Sequence, residues 1–218
     1  MLYRLIIIIL ICLYTSFNYS YTRLGITGGA SISGLSGDVI AQNYFDNAYH
    51  LQFNDNALGF DAGISLKLGS ESIQLISDCM YRYAGTYFSV IESLYSNTPV
   101  ENGFLNLSYL YVPVTLRAKS SLGPYIELGA YYSTLLFFQS YIIDDDNSLI
   151  LSSDYAINED LMTSYDYGYI LGLGFDTTFF TLGSRLTYSL NDFFQSEYKE
   201  QEMFTTLFNV SLLISLMF

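Results

Sequence analysis

Few residues in this chain have types and spacing that could do chemistry. The single histidine, His50, stands in a polar stretch with serines on either side in sequence, and a Ser/His pair is the core of acyl hydrolysis. No motif singles out one serine, so His50 reads as a solvated residue. Asp144, Asp145 and Asp146 could approach a calcium ion, but consecutive carboxylates lack the alternating spacing of a calcium loop. They read as a solvated acidic loop. No glycine-rich phosphate loop is present, and the chain implies neither metal nor cofactor. What remains is a set of charges inside otherwise apolar segments: Asp61, Asp78, Arg82, Arg117, Glu127 and Arg185. Charges so placed either pair with one another or line a transport path.

The segments that carry them alternate with period two, the period of a strand rather than a helix. They cover residues 24–34, 58–68, 72–83, 105–119, 124–138, 165–175, 179–190 and 203–218. In each, one face is apolar, and the other is built mainly of Gly, Ser, Thr, Tyr and the charges above. Phe138 falls on the apolar face by this count. Leu105 and Leu107 fall out of phase with Leu110 and Val112, which predicts a bulge near Ser108. Pro113 removes a ladder hydrogen bond in mid-strand. The connections run long, short, long, short, long, short, long, with short turns at 69–72, 120–123 and 177–178. This rhythm predicts an all-β, eight-stranded, antiparallel, up-and-down transmembrane β-barrel, with the short turns on the side of the termini. The last segment places Phe208, Val210, Leu212, Ile214, Leu216 and Phe218 on one face, and pairing with 24–34 would close the sheet.

Composition agrees. The chain is 51% hydrophobic and 17% aromatic but only 13% charged, about half the usual share. Beyond the N-terminus no apolar run is long enough for a helical span. A net charge of -13 makes nucleic acid an improbable partner. A soluble lipocalin-like barrel would place the apolar face inside. Whole strands with uncharged apolar faces, and Tyr and Phe gathered near strand ends, favour lipid outside and a polar lumen inside. Residues 1–20, with Arg4 before an apolar run from Leu5 to Leu13, predict a secretory signal peptide, leaving 21–218 as the barrel domain. Loss of Cys12 with it leaves Cys79 alone, without an intramolecular disulfide.

One stretch carries a family likeness. YLYVPVTLRAK at 109–119, followed by GPYIELGAYYSTLL at 123–136, resembles the PorT-like outer membrane protein beta-barrel domain, the porin-family proteins of Bacteroidota. Tyr109, Leu110, Pro113, Lys119, Pro124, Tyr125 and Gly129 carry the likeness, and Arg185 with Tyr188 extends it. It spans about residues 24–218 and implies the barrel fold. A proline in the fourth strand belongs to that pattern. PorT itself belongs to a secretion apparatus, so the likeness also brings in an outer-membrane component of such an apparatus.

The expectation is a non-enzymatic, integral protein of the bacterial outer membrane. Its six inward charges form a salt-bridge network that plugs the lumen, and its acidic extracellular loops meet a partner or the environment. Its partners would be outer-membrane lipid, the barrel assembly machinery and an envelope protein. The alternative is a narrow cation-favouring porin for small solutes. Phe218, Leu216 and Ile214 resemble the terminal signal read during barrel assembly.

Overall fold

The computed structural model describes residues 21–42, 48–91, 101–143, 149–151, 162–193 and 205–218. The expected signal peptide and the Asp144–Asp146 run lie outside the described residues. In chain order the strands are β1 (Tyr21–Ser36), β2 (Asp38–Gln42), β3 (Ala48–Gly69), β4 (Ile73–Ile91), β5 (Glu101–Lys119), β6 (Pro124–Ile143), β7 (Leu149–Leu151), β8 (Tyr165–Asp176), β9 (Phe180–Ser189) and β10 (Thr206–Met217). Eight of them close a ring in which every neighbour is antiparallel. The closing contact is β1 with β10, from Gly25↔Met217 to Ser36↔Thr206. The eight-stranded antiparallel barrel expected from the alternation is the fold observed. β2 and β7 are short additions that pair with β3 and β6.

The ring is staggered. Following paired residues once around from Leu24, through Leu66, Ser77, Val114, Ala130, Tyr169, Tyr188 and Phe208, returns to β1 at Gly34, ten residues further on. Such a stagger over eight strands tilts them roughly 35–45° from the axis and leaves a bore that side chains can fill.

The faces are those of a membrane barrel. Leu24, Leu58, Ile64, Ile126, Leu128, Leu173 and Leu212 point outward and are more than half exposed, while Thr27, Ser31, Asp61, Ser65, Thr187 and Ser211 are buried inside. This is the reverse of a lipocalin. On β1 the outward apolar set runs from Leu24 to Ile32, and on β10 from Val210 to Phe218. At ~3.3 Å per residue and ~40° tilt, such a span covers about 23 Å, close to the apolar band of an outer-membrane barrel. Outward tyrosines cluster towards the long-loop end: Tyr132, Tyr165 and Tyr167 stand with near-parallel rings along the surface, centroids 6.3 and 6.5 Å apart. Two of the short turns use glycine in the left-handed region, Gly69 (φ +133°) and Gly123 (φ +107°), where a Cβ would be strained.

Four local expectations are corrected. Residues 86–91 and 139–143 continue β4 and β6 as strand, and β3 begins at Ala48, not near Leu58. Outside the membrane neither face needs to be uniformly apolar, so the alternation fades while the backbone pairing continues. His50 consequently lies in β3, paired with Ile40 and Ile91, and not in a loop. The bulge is on β6: Ser108 pairs with Phe137 and Tyr109 with Leu135, leaving Leu136 as the extra residue. β5 is regular, and Leu105 and Leu107 point into the barrel with Tyr109 and Tyr111. Beyond the bulge the parity of β6 changes, so Phe138 turns inward and packs against buried apolar residues. Pro113 keeps its place opposite Tyr131 on the β6 side, whereas pairing with β4 lapses between Ser77–Val114 and Met80–Tyr111. The missing N–H falls where the ladder is open.

A closed ring of this kind unfolds only by breaking many hydrogen bonds at once. Unheated protein in dodecyl sulfate is expected to migrate differently from boiled protein on a gel. Identical migration of the two samples would rule out the closed barrel.

Candidate functional site

Among the described residues the charged side chains gather in the lumen, which is built in three levels. The level nearest the short turns is centred on Asp176, at the end of β8. Lys67 Nζ lies 2.5 Å from Asp176 Oδ1, Lys119 Nζ 3.1 Å from Oδ2, and Arg117 Nη1 3.4 Å from Oδ1. The Thr181 hydroxyl donates to the same carboxylate. Arg117 turns its Nε and Nη2 to Glu127 Oε2, at 3.2 and 2.9 Å. Arg117 and Glu127 are direct partners across the β5–β6 hairpin. Arg185, from the opposite wall, reaches Glu127 Oε1 through Nε and Asp78 Oδ2 through Nη1, each at 2.5 Å. Ser65 donates to Asp78 from the neighbouring strand. The result is a continuous chain of charge-assisted contacts joining β3, β4, β5, β6, β8 and β9.

Small residues on β8 and β9 make room for it. A Cβ at Gly172 would sit 2.6 Å from Glu127 Cγ, and one at Gly183 would sit 2.0 Å from the Tyr125 hydroxyl. Tyr125 in turn lies beneath Arg117, whose guanidinium carbon is 3.7 Å from the ring centroid. Such stacking holds the planar guanidinium in one orientation.

The middle level is a separate pair. Arg82 meets Asp61 with Nε–Oδ1 2.7 Å and Nη2–Oδ2 3.0 Å, a two-pronged contact between direct neighbours on β4 and β3. Ser211 donates to Asp61 Oδ2 at 2.7 Å. The Arg82 guanidinium lies 3.6 Å over the Tyr111 ring, and Tyr111 packs on Tyr131 at 5.3 Å. The Tyr131 hydroxyl donates to Asp166 at 2.8 Å, and Ser189 donates to its other oxygen. Asp166 is therefore held by hydroxyls and not by a cation.

The level nearest the long loops is apolar. Leu35, Phe88, Val90, Leu105, Leu107, Met162, Phe193 and Leu207 form one buried cluster, with Phe53, Leu135 and Phe138 packed against it. Backbone bonds from Thr163 to Phe193, Phe193 to Thr205 and Leu135 to Ser164 tie the segments above β8, β9 and β10 over this cluster. The short walls are thereby capped.

The six charges singled out from the sequence are all inside and all in ion pairs, though in two groups. Arg82 and Asp61 stand apart from the chain that holds Asp78, Arg117, Glu127 and Arg185. Lys67, Lys119, Asp166 and Asp176 belong to the lumen as well. Strand parity carried that signal: Asp166 and Asp176 alternate with the outward Tyr165 and Phe175. The apolar cap is the feature that alternation concealed, because Leu105, Leu107 and Leu207 stand at inward positions where polar residues are the rule elsewhere. His50 lies at the outer end of β3, paired with Ile91. Among the described residues no cluster of His, Cys, Asp and Glu is suited to a metal ion.

Comparison with protein families gives the same architecture. The family model described as "Outer membrane protein beta-barrel domain" matches residues 15–195. No curated protein matches the chain. Among solved structures, Neisserial surface protein A is 13% identical, covering 89% of this chain and 97% of its own, with a TM-score of 0.48. The attachment invasion locus protein Ail of Yersinia pestis is 13% identical over 90% of this chain and 99% of its own, with a TM-score of 0.44. OprG from Pseudomonas aeruginosa is 11% identical over 92% and 97%, with a TM-score of 0.46.

Glu127 holds two guanidiniums, whereas Asp166 holds two hydroxyls. Breaking a buried ion pair costs about 3–5 kcal/mol, against ~1 kcal/mol for an ordinary hydrogen bond. In micelles, Glu127→Gln is expected to lower the urea midpoint of the folded barrel by several times the shift given by Asp166→Asn. Equal midpoints for the two variants would show that the Glu127 contacts carry no such weight.

Proposed function

Since the chain belongs to the outer membrane protein beta-barrel family and resides in the bacterial outer membrane, we propose that it is a closed, membrane-anchored structural or binding barrel whose working surface is its acidic loop end. The observation that carries this reading is the filled lumen. Ion-paired side chains span the turn-side half, Arg82 and Asp61 with Tyr111 and Tyr131 fill the middle, and apolar side chains cap the loop-side half. The cavity between Arg117 and Arg185 is only about 10 Å³, room for about one water molecule. Among the described residues such a side-chain column argues against a continuous aqueous path.

Charge supports the second half of the proposal. Within the lumen Lys67, Arg82, Arg117, Lys119 and Arg185 balance Asp61, Asp78, Glu127, Asp166 and Asp176. Of the remaining acidic residues, Glu71 lies in a short turn, and all the others belong to the loop-side connections or the strand ends beside them. Lys199 is the only basic residue among them. The net negative charge of the molecule is thus collected at one end, where it would attract basic surfaces and cations and repel acidic ones. A cation drawn in there would next meet Arg82, Arg117, Lys67 and Lys119, which argues against the narrow-porin alternative. The proposed partners remain outer-membrane lipid around the belt, the assembly machinery during biogenesis and an envelope protein of basic surface at the loops.

Two measurements test these proposals. Reconstituted in planar bilayers, the protein is expected to give no channels at low or high salt, and stable cation-selective openings would overturn the plug. For biogenesis, removal of Phe218, or polar residues in place of Ile214 and Leu216, is expected to reduce the amount of folded protein in the outer membrane several-fold. Wild-type levels of such variants would remove the terminal strand from any signalling role.

A further inference from the structure

On β3, β4, β5 and β6 the outward positions stay uncharged and mostly apolar as far as Phe60, Tyr83 and Phe137, where Phe60 stacks on Tyr83 with ring centroids 5.5 Å apart. Beyond them Asp55, Asn106 and Gln139 take outward positions. That change of composition marks the outer limit of the hydrocarbon. Past it a second aromatic row begins. Tyr87, Phe104 and Tyr141 are consecutive cross-strand partners on β4, β5 and β6. They lie four residues beyond Tyr83, Ser108 and Phe137, which places the row about 10 Å further out at ~3.3 Å per residue and ~40° tilt. This is the layer of the lipid headgroups.

The row is laid out as a platform. The Tyr87 and Phe104 rings meet at 5.0 Å, and Tyr87 remains 41% exposed. Phe104 lies across Gly85, where a Cβ would sit 2.8 Å from its Cζ, so the glycine lets the ring lie down on the sheet. Polar groups flank the rings. Asn102 Oδ1 accepts from Ser89 at 2.8 Å, and Gln139 Oε1 accepts from the Tyr141 hydroxyl, which leaves the NH2 groups of both amides to donate. Asp55, directly opposite Tyr87, is an exposed acceptor. Every lysine and arginine of β3–β6 belongs to the lumen, so a phosphate finds no cation on this face. An acyl chain would leave the amides and Asp55 unpaired. A sugar ring meets both demands, with C–H groups on one face for the negatively polarised face of an aromatic ring and hydroxyls around its rim. A soluble protein coming from outside meets the loop end first, whereas this face, parallel to the barrel axis, is met side-on by what stands in the leaflet.

We infer that the outward row Tyr87–Phe104–Tyr141 binds the uncharged sugar headgroup of an outer-leaflet glycolipid. The site continues the lipid-facing belt: the acyl chains pack below, on Phe60, Tyr83 and Phe137, and the sugar stacks above, on Tyr87 and Phe104. Asn102 and Gln139 donate to its hydroxyl oxygens, and Asp55 accepts from one hydroxyl.

The full chain in nanodiscs provides the test. In phosphatidylcholine with a minor share of diglucosyl diacylglycerol, native mass spectrometry is expected to find the glycolipid retained on the barrel about 10-fold above its share of the bilayer. Phosphatidylglycerol at the same share is expected to show no enrichment. Tyr87→Ser combined with Phe104→Ser lies outside both hydrocarbon and lumen, and should abolish the glycolipid enrichment while the heat-modifiable migration stays as it was. Retention of glycolipid and phosphatidylcholine in proportion to their shares overturns the site, as does an enrichment that survives the double variant. Preferential retention of phosphatidylglycerol overturns it too, and so does displacement of the glycolipid by a lysine-rich peptide, which would assign the rings and Asp55 to a basic partner. Should the double variant not fold, nuclear Overhauser contacts between glucose protons and the Tyr87 and Phe104 rings of the unaltered protein decide: their presence supports the site and their absence overturns it. Failure here leaves the closed lumen standing, since conductance tests that separately.

Discussion

In hydrocarbon no backbone N–H or C=O can turn to water for a partner, and this structure follows from meeting that condition with strands alone. β1 must find β10, or two ladders of polar groups would face lipid. Closing eight strands with a stagger of ten residues then sets the tilt and the bore together. A bore so narrow is filled by whatever stands on the inward face. Outside, the same closure explains why exposed Leu, Ile and Phe are the rule rather than a defect: their solvent is lipid.

The charged interior is a second-order consequence of the same geometry. Every inward position must either be small or find a neighbour. The glycines of β8 and β9 leave the space that Glu127 and Tyr125 occupy from β6. Replacing such an ion-pair lattice by apolar packing would be close to neutral in stability, so the lattice is weak evidence for strength. It is stronger evidence for uniqueness. A strand that slipped by one residue would turn Asp61 or Arg185 out into hydrocarbon, and the register is thereby pinned.

Much of this was legible in the sequence because alternation and lipid impose the same period. The strand faces, the short turns and the closing pair all follow from counting residues. The count failed where its premise failed. Beyond the bilayer the chain pairs without alternating, so the outer reaches of β3, β4 and β6 carried no visible period. Leu105 and Leu107 looked like a phase error because inward residues were assumed polar, yet they stand under an apolar cap. The compensating extra residue, Leu136, lies on the partner strand, where parity of β5 alone gives no sign of it. Cross-barrel contacts such as Arg185 with Asp78 depend on stagger, which no single strand reveals.

Among the described residues the ring is unequal in height. β3, β4, β5 and β6 run well past the level at which β8 begins and β9 ends, and β2 and β7 widen only that taller side. Looked at down its axis, the barrel therefore has a front and a back. A neighbour approaching in the plane of the membrane meets an upright sheet from one azimuth and a low parapet of tyrosines from another. The molecule can thus be oriented about the membrane normal as well as across it, and any lasting contact beyond the lipid surface would fix its rotation.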